Sequence, residues 1–291
     1  MSHAGIPFTK GHGTGNDFVL LPNLDGVLDL TPARVRALCD RRRGIGADGV
    51  LVLARTSSHP EVAEQSADAP YFMDYRNADG SVAQMCGNGA RVFVAHLLEM
   101  GLATTDPFWI ATRGGARQVG IAQDGSIRID MGHAQFLERA DLQVTAADAD
   151  PGVPEAPAVG VLMPNPHAVT WVHDVTDAGS LRDAPRVTPA DAYPEGVNVE
   201  FVRVLAEAHL QMRVFERGVG ETLSCGTGAC AAAVATVRRA GGAPDGRRIR
   251  VDVPGGSVGV TWHPDGSVEL DGPTQVVARG QIDTHWWEMH G

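Results

Sequence analysis

The chain has 291 residues, of which 43 % are hydrophobic and 20 % are charged. This length suits two domains of ordinary size, and the apolar fraction is enough for a packed core, so the composition excludes a disordered protein. The formal net charge of -11 argues against nucleic acid as a partner, because phosphate binding draws on basic patches. We therefore expect a globular protein of enzyme-like composition.

No segment of the sequence is typical of a targeting signal, a membrane anchor or a metal site. The N-terminus lacks an apolar h-region, and no uninterrupted apolar run reaches the roughly 20 residues of a transmembrane helix. Four cysteines in a chain of this length argue against a secreted protein that is held together by disulfide bonds. No CxxC pair is present, and His285 and His290 do not have zincin spacing. The sequence predicts a cytoplasmic protein with neither a bound metal nor a membrane partner.

Short apolar runs separated by turn residues predict a β-rich protein with mostly antiparallel sheets. In chain order the predicted strands are FVLLP, VLVLA, YFMDY, FWIAT, AVTWV, NVEFVRV, LQMRVFE, IRVDV, SVGVTWH and TQVVAR. Residues 55–70 and 145–160 are rich in Ala, Asp, Ser and Pro, and they are predicted loops.

Three helices are predicted among these strands. Thr31 and Pro32 are typical of a helix start, and Gly44 is typical of a helix end, so the basic run 41–43 would lie at the helix C-terminus. The other two helices span 87–100 and 226–239. Both are apolar on nearly every side, which indicates burial.

Each of the two buried helices begins with nearly the same motif, CGNGA at 86–90 and CGTGA at 225–229. A turn, a cysteine, Gly-x-Gly and a buried helix thus occur twice, about half the chain apart. The repeated context predicts two related domains, each with strands wrapped around a central helix and a cysteine at the helix N-terminus.

A cysteine at a helix N-terminus is suited to proton transfer. The helix dipole lowers the thiol pKa from about 8.5, so thiolate becomes accessible near neutral pH. The free N–H groups of the first turn can bind a carboxylate. Cys86 and Cys225 on opposite faces of one carbon could therefore remove a proton and return one. The difference between Asn88 and Thr227 is expected to be tolerated, because the backbone makes the contact.

Other interpretations of the cysteines stay open. Cys39 and Cys230 are interpreted as small buried apolar side chains. Cys86 and Cys225 could instead form a redox pair or a regulatory disulfide. The protein could also bind an amino acid or sense redox state without catalysis.

Five ordered blocks of the sequence resemble the diaminopimelate epimerase family of cofactor-independent amino-acid racemases. They are GTGNDFV (13–19), NADGSVAQMCGNGARVF (77–93), NPHAV (165–169), GVNVEFV (196–202) and ERGVGETLSCGTGA (216–229). The resemblance extends from the start of the chain to about residue 282. The tail THWWEMHG lies beyond it.

The resemblance implies an α+β fold of two pseudo-symmetric domains, each a curved, mostly antiparallel sheet around a central helix, with the active site in the cleft between them. The implied domains are 1–131 plus 273–291, and 132–272. The implied activity is that of an isomerase which interconverts LL- and meso-diaminopimelate, in lysine and peptidoglycan precursor synthesis. No cofactor is implied, and the partner is a small-molecule substrate. A racemase of another amino acid on the same fold is the alternative.

The resemblance also implies roles for individual residues. Cys86 and Cys225 would be the acid and base, and His167 and Glu216 would tune their protonation. Substrate-binding residues would be Asn16, Asn77, Gly87, Asn88, Asn165, Asn198, Glu216, Arg217, Gly226 and Thr227. Backbone N–H groups at the two helix starts would hold the proximal carboxylate, whereas the Arg fork and the Asn amides would hold the distal groups. A homodimer is possible, although Ala278 stands where some relatives use a tyrosine at the dimer contact.

Overall fold

The chain divides into two compact units, described here from a computed structural model that covers residues 5–103, 106–122, 124–149 and 155–291. The first unit comprises Met1–Ile129 together with Pro273–Gly291, and the second comprises Asp130–Gly272. The C-terminal segment therefore belongs to the same unit as the N-terminal segment, and the second unit is continuous in sequence.

Strands make up most of the regular structure of the described residues. In chain order they are β1 (Ile6–Gly13), β2 (Asn16–Pro22), β3 (Gly49–Arg55), β4 (Tyr71–Asn77), β5 (Phe108–Ile110), β6 (Arg117–Ile121), β7 (Ile127–His133), β8 (Gln135–Leu137), β9 (Gln143–Thr145), β10 (Ala156–Leu162), β11 (Pro166–Trp171), β12 (Arg186–Thr188), β13 (Asn198–Ala206), β14 (His209–Glu216), β15 (Gly220–Glu221), β16 (Arg248–Val253), β17 (Gly256–Trp262), β18 (Ser267–Gly272) and β19 (Gln275–Ile282). The α-helices are α1 (Pro32–Cys39), α2 (Gly87–Glu99), α3 (Gly226–Arg239) and α4 (Thr284–Met289).

The first unit contains a five-stranded sheet with the strand order β19-β1-β2-β3-β4. Every neighbouring pair is antiparallel except β2 and β3, which are parallel. β5, β6 and β7 follow as antiparallel neighbours. β1 was not among the predicted strands; it alternates in burial along its length and lies between β2 and the distant C-terminal strand.

The second unit contains a longer path of strands in the order β12-β9-β10-β11-β13-β14-β16-β17-β18. The pairs β11–β13 and β14–β16 are parallel, and the other pairs are antiparallel. The prediction of mostly antiparallel sheets is thus confirmed in both units. The predicted loop 145–160 is wrong at its end, because residues from Ala156 onward form β10, where buried Ala158 and Val161 pack into the core.

One helix is buried at the centre of each unit, as the sequence predicted. α2 contacts β1, β2, β3 and β4, whereas α3 contacts strands from β10 through β18. Alanine, the strongest helix former, recurs through α3 and keeps its circumference small enough to be enclosed by strands. Among the described residues, no helix combines the length and apolar character that crossing a bilayer requires.

α1 begins where the sequence predicted but ends earlier. Thr31 caps it, with its hydroxyl accepting from the Arg34 N–H at 3.2 Å. The helix ends at Cys39 rather than near Gly44, and the basic run 41–43 directly follows its C-cap residue Asp40 without forming part of the last turn. Arg41 instead donates to both oxygens of Asp17 at 3.0 and 2.7 Å, and the chain after α1 is held against β2.

The tail that follows β19 forms α4 and completes the core of the first unit. Asp283 caps this helix by accepting from the Trp286 N–H at 2.9 Å. Trp287 is 7 % exposed and packs in a cluster with Val35, Leu38 and Ile282. The Arg34 guanidinium lies 4.8 Å from the centre of the Trp287 ring.

Replacing Trp287 with alanine should destabilise the protein by about 3–5 kcal/mol, because a large buried ring is removed and a cavity remains. Urea denaturation followed by circular dichroism measures this loss. Met289, on the same helix but 62 % exposed, provides the matched control. Met289→Ala should change the free energy of unfolding by less than about 0.5 kcal/mol. Equal effects of the two substitutions would show that α4 does not contribute to the core.

Candidate active site

The two motif cysteines occupy the same local position in the two units. Cys86 is the N-cap residue of α2, and its sulfur accepts from the Gly89 N–H at 3.3 Å. Cys225 is the N-cap residue of α3, and its sulfur accepts from the Gly228 N–H, also at 3.3 Å. Both cysteines have extended backbone dihedrals, as N-cap residues do. Each sulfur therefore lies at the positive end of a buried helix, as the repeat predicted.

All four cysteines are free thiols. Cys230 is fully buried in α3, and Cys39 is 6 % exposed at the end of α1. Burial raises the pKa of Cys39 to about 12. These two residues behave as the small apolar side chains that the sequence analysis predicted.

In the first unit, three of the predicted site residues form one hydrogen-bonded group. The Asn16 Oδ1 atom accepts from the Cys86 thiol at 3.7 Å and from the Asn88 amide at 3.3 Å. Asn88 is almost fully buried, and its Oδ1 accepts from Arg91 at 2.5 Å. The amide of Asn88 thus links a buried guanidinium to the residue that contacts the Cys86 sulfur.

The side chains of Asn88 and Thr227 make different contacts, and the expectation that a change of side chain here is tolerated stays a prediction. Asn88 bridges Asn16 and Arg91, which a threonine side chain is too short to do. The Thr227 hydroxyl instead lies 3.4 Å from the sulfur of Cys225. Each residue supports the N-terminus of its own helix in a different way.

The remaining predicted residues of the first unit lie at element ends. Asn77 is the last residue of β4, opposite Gly49 of β3, and its amide donates to the Ser81 hydroxyl at 3.0 Å. Gly87 is the first residue of α2 and is buried.

In the second unit, Cys225 is surrounded by ionisable groups. It is 6 % exposed, and the Glu216 carboxyl at the end of β14 interacts with its sulfur. The Thr222 hydroxyl donates to the same carboxyl. Burial raises the pKa of Glu216, and the Thr222 hydrogen bond partly offsets that increase.

A fully buried histidine–carboxylate pair lies on the neighbouring strands. The Nδ1 atom of His167, in β11, is 2.6 Å from Oε1 of Glu200, in β13, and both side chains are 0 % exposed. The other ring nitrogen lies 3.0 Å from the Asn165 Oδ1. The Tyr193 hydroxyl donates to the His167 carbonyl at 3.2 Å. The sequence analysis identified His167 and Asn165 but not their buried partner Glu200.

Asn198 and Arg217 are also brought together. The Arg217 N–H donates to the Asn198 Oδ1 at 2.9 Å, which fixes the amide at the start of β13. The Arg217 guanidinium donates to the Glu195 carbonyl at 3.1 Å. Gly226, the first residue of α3, is buried next to Cys225.

The electrostatics of Cys225 are opposite to the sequence-based expectation. Burial raises the pKa of Cys225 well above its ordinary value, and the carboxyls of Glu216 and Glu200 raise it further. The hydrogen bonds from Thr227 and the Gly228 N–H lower it, but by less. Desolvation and nearby negative charge both disfavour the thiolate, and together they outweigh the hydrogen bonds that favour it.

Two residues that the sequence analysis missed, Arg91 and Glu200, share a signal that could have identified them. Each is a charged residue within an otherwise apolar run, RVFVAHLL for Arg91 and NVEFV for Glu200. Both are 0 % exposed. Charged side chains are almost never fully buried unless paired, so a lone charge in a core segment points to a polar cluster.

Among the residues that the structure describes, no three His, Cys, Asp or Glu side chains are grouped so as to hold a metal ion.

Comparison with known proteins places the chain in one family. The family model described as "Diaminopimelate epimerase" matches residues 8–137 and 159–277. A protein named diaminopimelate epimerase from Streptomyces coelicolor is 51 % identical over 287 residues, covering 97 % of each chain. Proteins of the same name from Thermobifida fusca and Mycolicibacterium smegmatis are 44 % and 42 % identical, covering 94 % and 96 % of this chain and 97 % and 98 % of their own.

Solved structures show the same fold at much lower identity. A hydroxyproline epimerase from Agrobacterium vitis matches with a TM-score of 0.67 and 16 % identity, covering 98 % of this chain and 95 % of that one. A phenazine biosynthesis protein of the PhzF family from Bacillus anthracis matches with a TM-score of 0.66 and 16 % identity, covering 96 % and 99 %. The predicted α+β fold of two related halves is confirmed. The family model matches most of the residues, and relatives of that name align over nearly their full length. This chain therefore belongs to the diaminopimelate epimerase family.

Proposed function

We propose that this chain interconverts LL- and meso-2,6-diaminopimelate by transferring protons at one α-carbon, an isomerase reaction in lysine and peptidoglycan precursor synthesis. The observation that supports this most directly is the repeated helix N-terminus, with a cysteine as N-cap residue in each unit. The names of the full-length relatives support the same substrate.

The proposed acid and base are the two cysteine sulfurs. One thiolate accepts the α-proton on one face of the carbon, and the opposite thiol donates a proton on the other face. The reverse reaction exchanges the two roles, so one site serves both directions. The raised pKa of Cys225 supports a protonated resting state for that residue, with Cys86 as the complementary base.

Carbanion formation is the difficult step, because an amino-acid α-proton is much less acidic than a thiol. We propose that the first-turn N–H groups of α2 and α3 hold the α-carboxylate and stabilise the charge that develops on it. Gly87, Asn88, Gly226 and Thr227 provide these N–H groups. Near-complete burial of both helix starts supports this role, because electrostatic stabilisation strengthens where water is excluded.

The distal amine and carboxylate of the substrate are assigned to the polar side chains of both units. The proposed contacts are Asn16, Asn77, Asn165, Asn198, Glu216 and Arg217. His167 and Glu216 would also tune the protonation of the cysteines. The hydrogen bond that fixes Asn198 to the Arg217 backbone supports a preorganised site, because the amide is oriented before substrate arrives.

We further propose that the protein acts in the cytoplasm, where its precursor substrates are made, and that it can form a homodimer. The exposed edge strand β19, where Val277 is 59 % exposed, is consistent with a contact between copies.

Incubation with LL-diaminopimelate in deuterium oxide should give meso product that carries deuterium at the inverted α-carbon. Cys86→Ser and Cys225→Ser should each lower the epimerisation rate by at least about a hundredfold, because each removes the proton carrier of one face. Mass spectrometry and chiral chromatography measure both quantities. Cys39→Ser is the control and should retain the wild-type rate. Product without deuterium, or an active variant of either motif cysteine, would contradict the two-base reaction.

Removing the Arg217 guanidinium should mainly weaken substrate binding. Arg217→Gln should raise the KM for diaminopimelate by about 10- to 100-fold, because a hydrogen bond to a charged carboxylate is lost. Arg238→Gln is the control, since Arg238 lies in the last turn of α3, where it pairs with Glu138 and lies 4.1 Å from the centre of the Phe136 ring. Lysine, which lacks the distal carboxylate, should be a poor substrate of the wild-type enzyme. Equal use of lysine and diaminopimelate would favour a racemase of another amino acid.

A further inference from the structure

Strand register identifies equivalent positions in the two units. In the first unit, parallel strands β2 and β3 pair Phe18 with Gly49 and Leu20 with Leu51. In the second, parallel strands β11 and β13 pair His167 with Asn198 and Val169 with Glu200. Phe18 and His167 each lie two residues after a site asparagine, so they correspond. Leu51 and Glu200 correspond by the same register.

Phe18 and Leu51 in the first unit, and Glu200 in the second, contact the same point of the central helix. A methyl group built on Gly89 of α2 would lie 3.3 Å from Leu51 and 3.4 Å from Phe18. A methyl group built on Gly228 of α3 would lie 2.8 Å from the Glu200 carboxylate. Gly89 and Gly228 also donate the N–H groups that bind the two cysteine sulfurs. An apolar pair supports the helix start near Cys86, whereas a charged pair supports it near Cys225.

Packing does not require the charged pair. The first unit shows that phenylalanine and leucine fill these positions with full burial. Burying a carboxylate and an imidazole costs desolvation energy that an apolar pair avoids. The second oxygen of Glu200 is buried and has no hydrogen-bond partner among the described residues, which adds to that cost. The pair is therefore maintained for a property other than packing.

The groups that face Cys225 show what this property is. Glu216 approaches the sulfur from β14, Glu200 lies against the first turn of α3 from β13, and His167 holds Glu200 from β11. From α3 itself, the Thr227 hydroxyl and the Gly228 N–H contact the sulfur. Of the two carboxylates in this set, Glu200 is fully buried and Glu216 is only partly buried.

The influence of Glu200 extends to a second acidic group. The Tyr193 hydroxyl donates to the His167 carbonyl, next to the buried pair. Burial, together with the Glu200 carboxyl, raises the pKa of Tyr193 to about 12. Both Tyr193 and Cys225 would gain a negative charge on ionisation, and the ionised Glu200 carboxylate opposes this in each case. Burial raises the pKa of Glu200, whereas the contact with His167 lowers it and favours the ionised form.

We propose that Glu200 is a positioning residue whose buried carboxyl, held by His167 against the first turn of α3, keeps Cys225 protonated. Through this contact the second half of the site rests as the proton donor, while in the first unit the corresponding positions are filled by the apolar pair Phe18 and Leu51. This inference rests on the proposed function for its catalytic meaning, but the state of the sulfur can be tested without substrate.

The test is a pH titration of the Cys225 thiolate by its ultraviolet absorbance, in a Cys86→Ser background. A Cys86→Ser, Cys225→Ser protein provides the signal of Cys39 and Cys230 for subtraction. Glu200→Gln should shift the Cys225 midpoint to lower pH by about one unit, so that about tenfold more thiolate is present below the midpoint. The same substitution at an exposed carboxylate, Glu138→Gln, should leave the midpoint unchanged.

A second variant covers the case in which Glu200→Gln does not fold. The double variant His167→Phe, Glu200→Leu transplants the apolar pair of the first unit, which that unit already accommodates. It should show a shift of the same sign but smaller size, because the imidazole is removed together with the carboxyl. Thermal unfolding confirms that each variant is folded. An unshifted Cys225 midpoint in either folded variant would overturn the proposal.

The titration separates this inference from the proposed function. A shifted midpoint in Glu200→Gln supports the role of Glu200 even if the wild-type protein introduces no deuterium into diaminopimelate. An unshifted midpoint in an enzyme that does exchange deuterium overturns the role of Glu200 alone. In an active enzyme, the pH optimum of Glu200→Gln should also move to lower pH, which a merely structural residue would not cause.

Discussion

The whole arrangement depends on a close contact at the first turn of each central helix. The glycine three residues after each cysteine must accept a neighbouring side chain at van der Waals distance while its N–H binds the sulfur. At Gly228 even a methyl group would collide with Glu200. This contact sets how deep the helix start lies, and therefore how strongly water is excluded from the sulfur.

The two halves use this common geometry for different electrostatic purposes. Near Cys86 the polar contacts include the amides of Asn16 and Asn88, backed by the buried guanidinium of Arg91. Near Cys225 they include carboxyls and an imidazole. A duplicated scaffold thus holds two sulfurs at the same backbone position beside different polar groups. A reaction with one base and one acid needs such a difference. It requires one sulfur as thiolate and the other as thiol at the same pH, and two sulfurs in identical surroundings would have the same pKa.

Much of the fold could be predicted from sequence, because apolar periodicity and N-cap patterns are local. Each predicted strand was found, and the starts of α1, α2 and α3 were predicted correctly. The end of α1 could not be, because Arg41 is drawn to Asp17 by contacts distant in sequence. Motifs identified the helix N-termini, but not the depth of their burial. The raised pKa of Cys225 follows from that burial and from the carboxyls of Glu216 and Glu200, which the motif alone does not indicate.

The placement of β19 has a consequence for biosynthesis. β1 lies between β2 and β19, so the first sheet takes its edge strand and its α4 cover from residues that are translated after the whole second unit. The second unit, continuous from Asp130 to Gly272, is complete before those residues leave the ribosome. During synthesis the second unit can therefore fold first, while the first unit stays incomplete until β19 and α4 are made. A chain that stops before β19 loses part of its N-terminal unit.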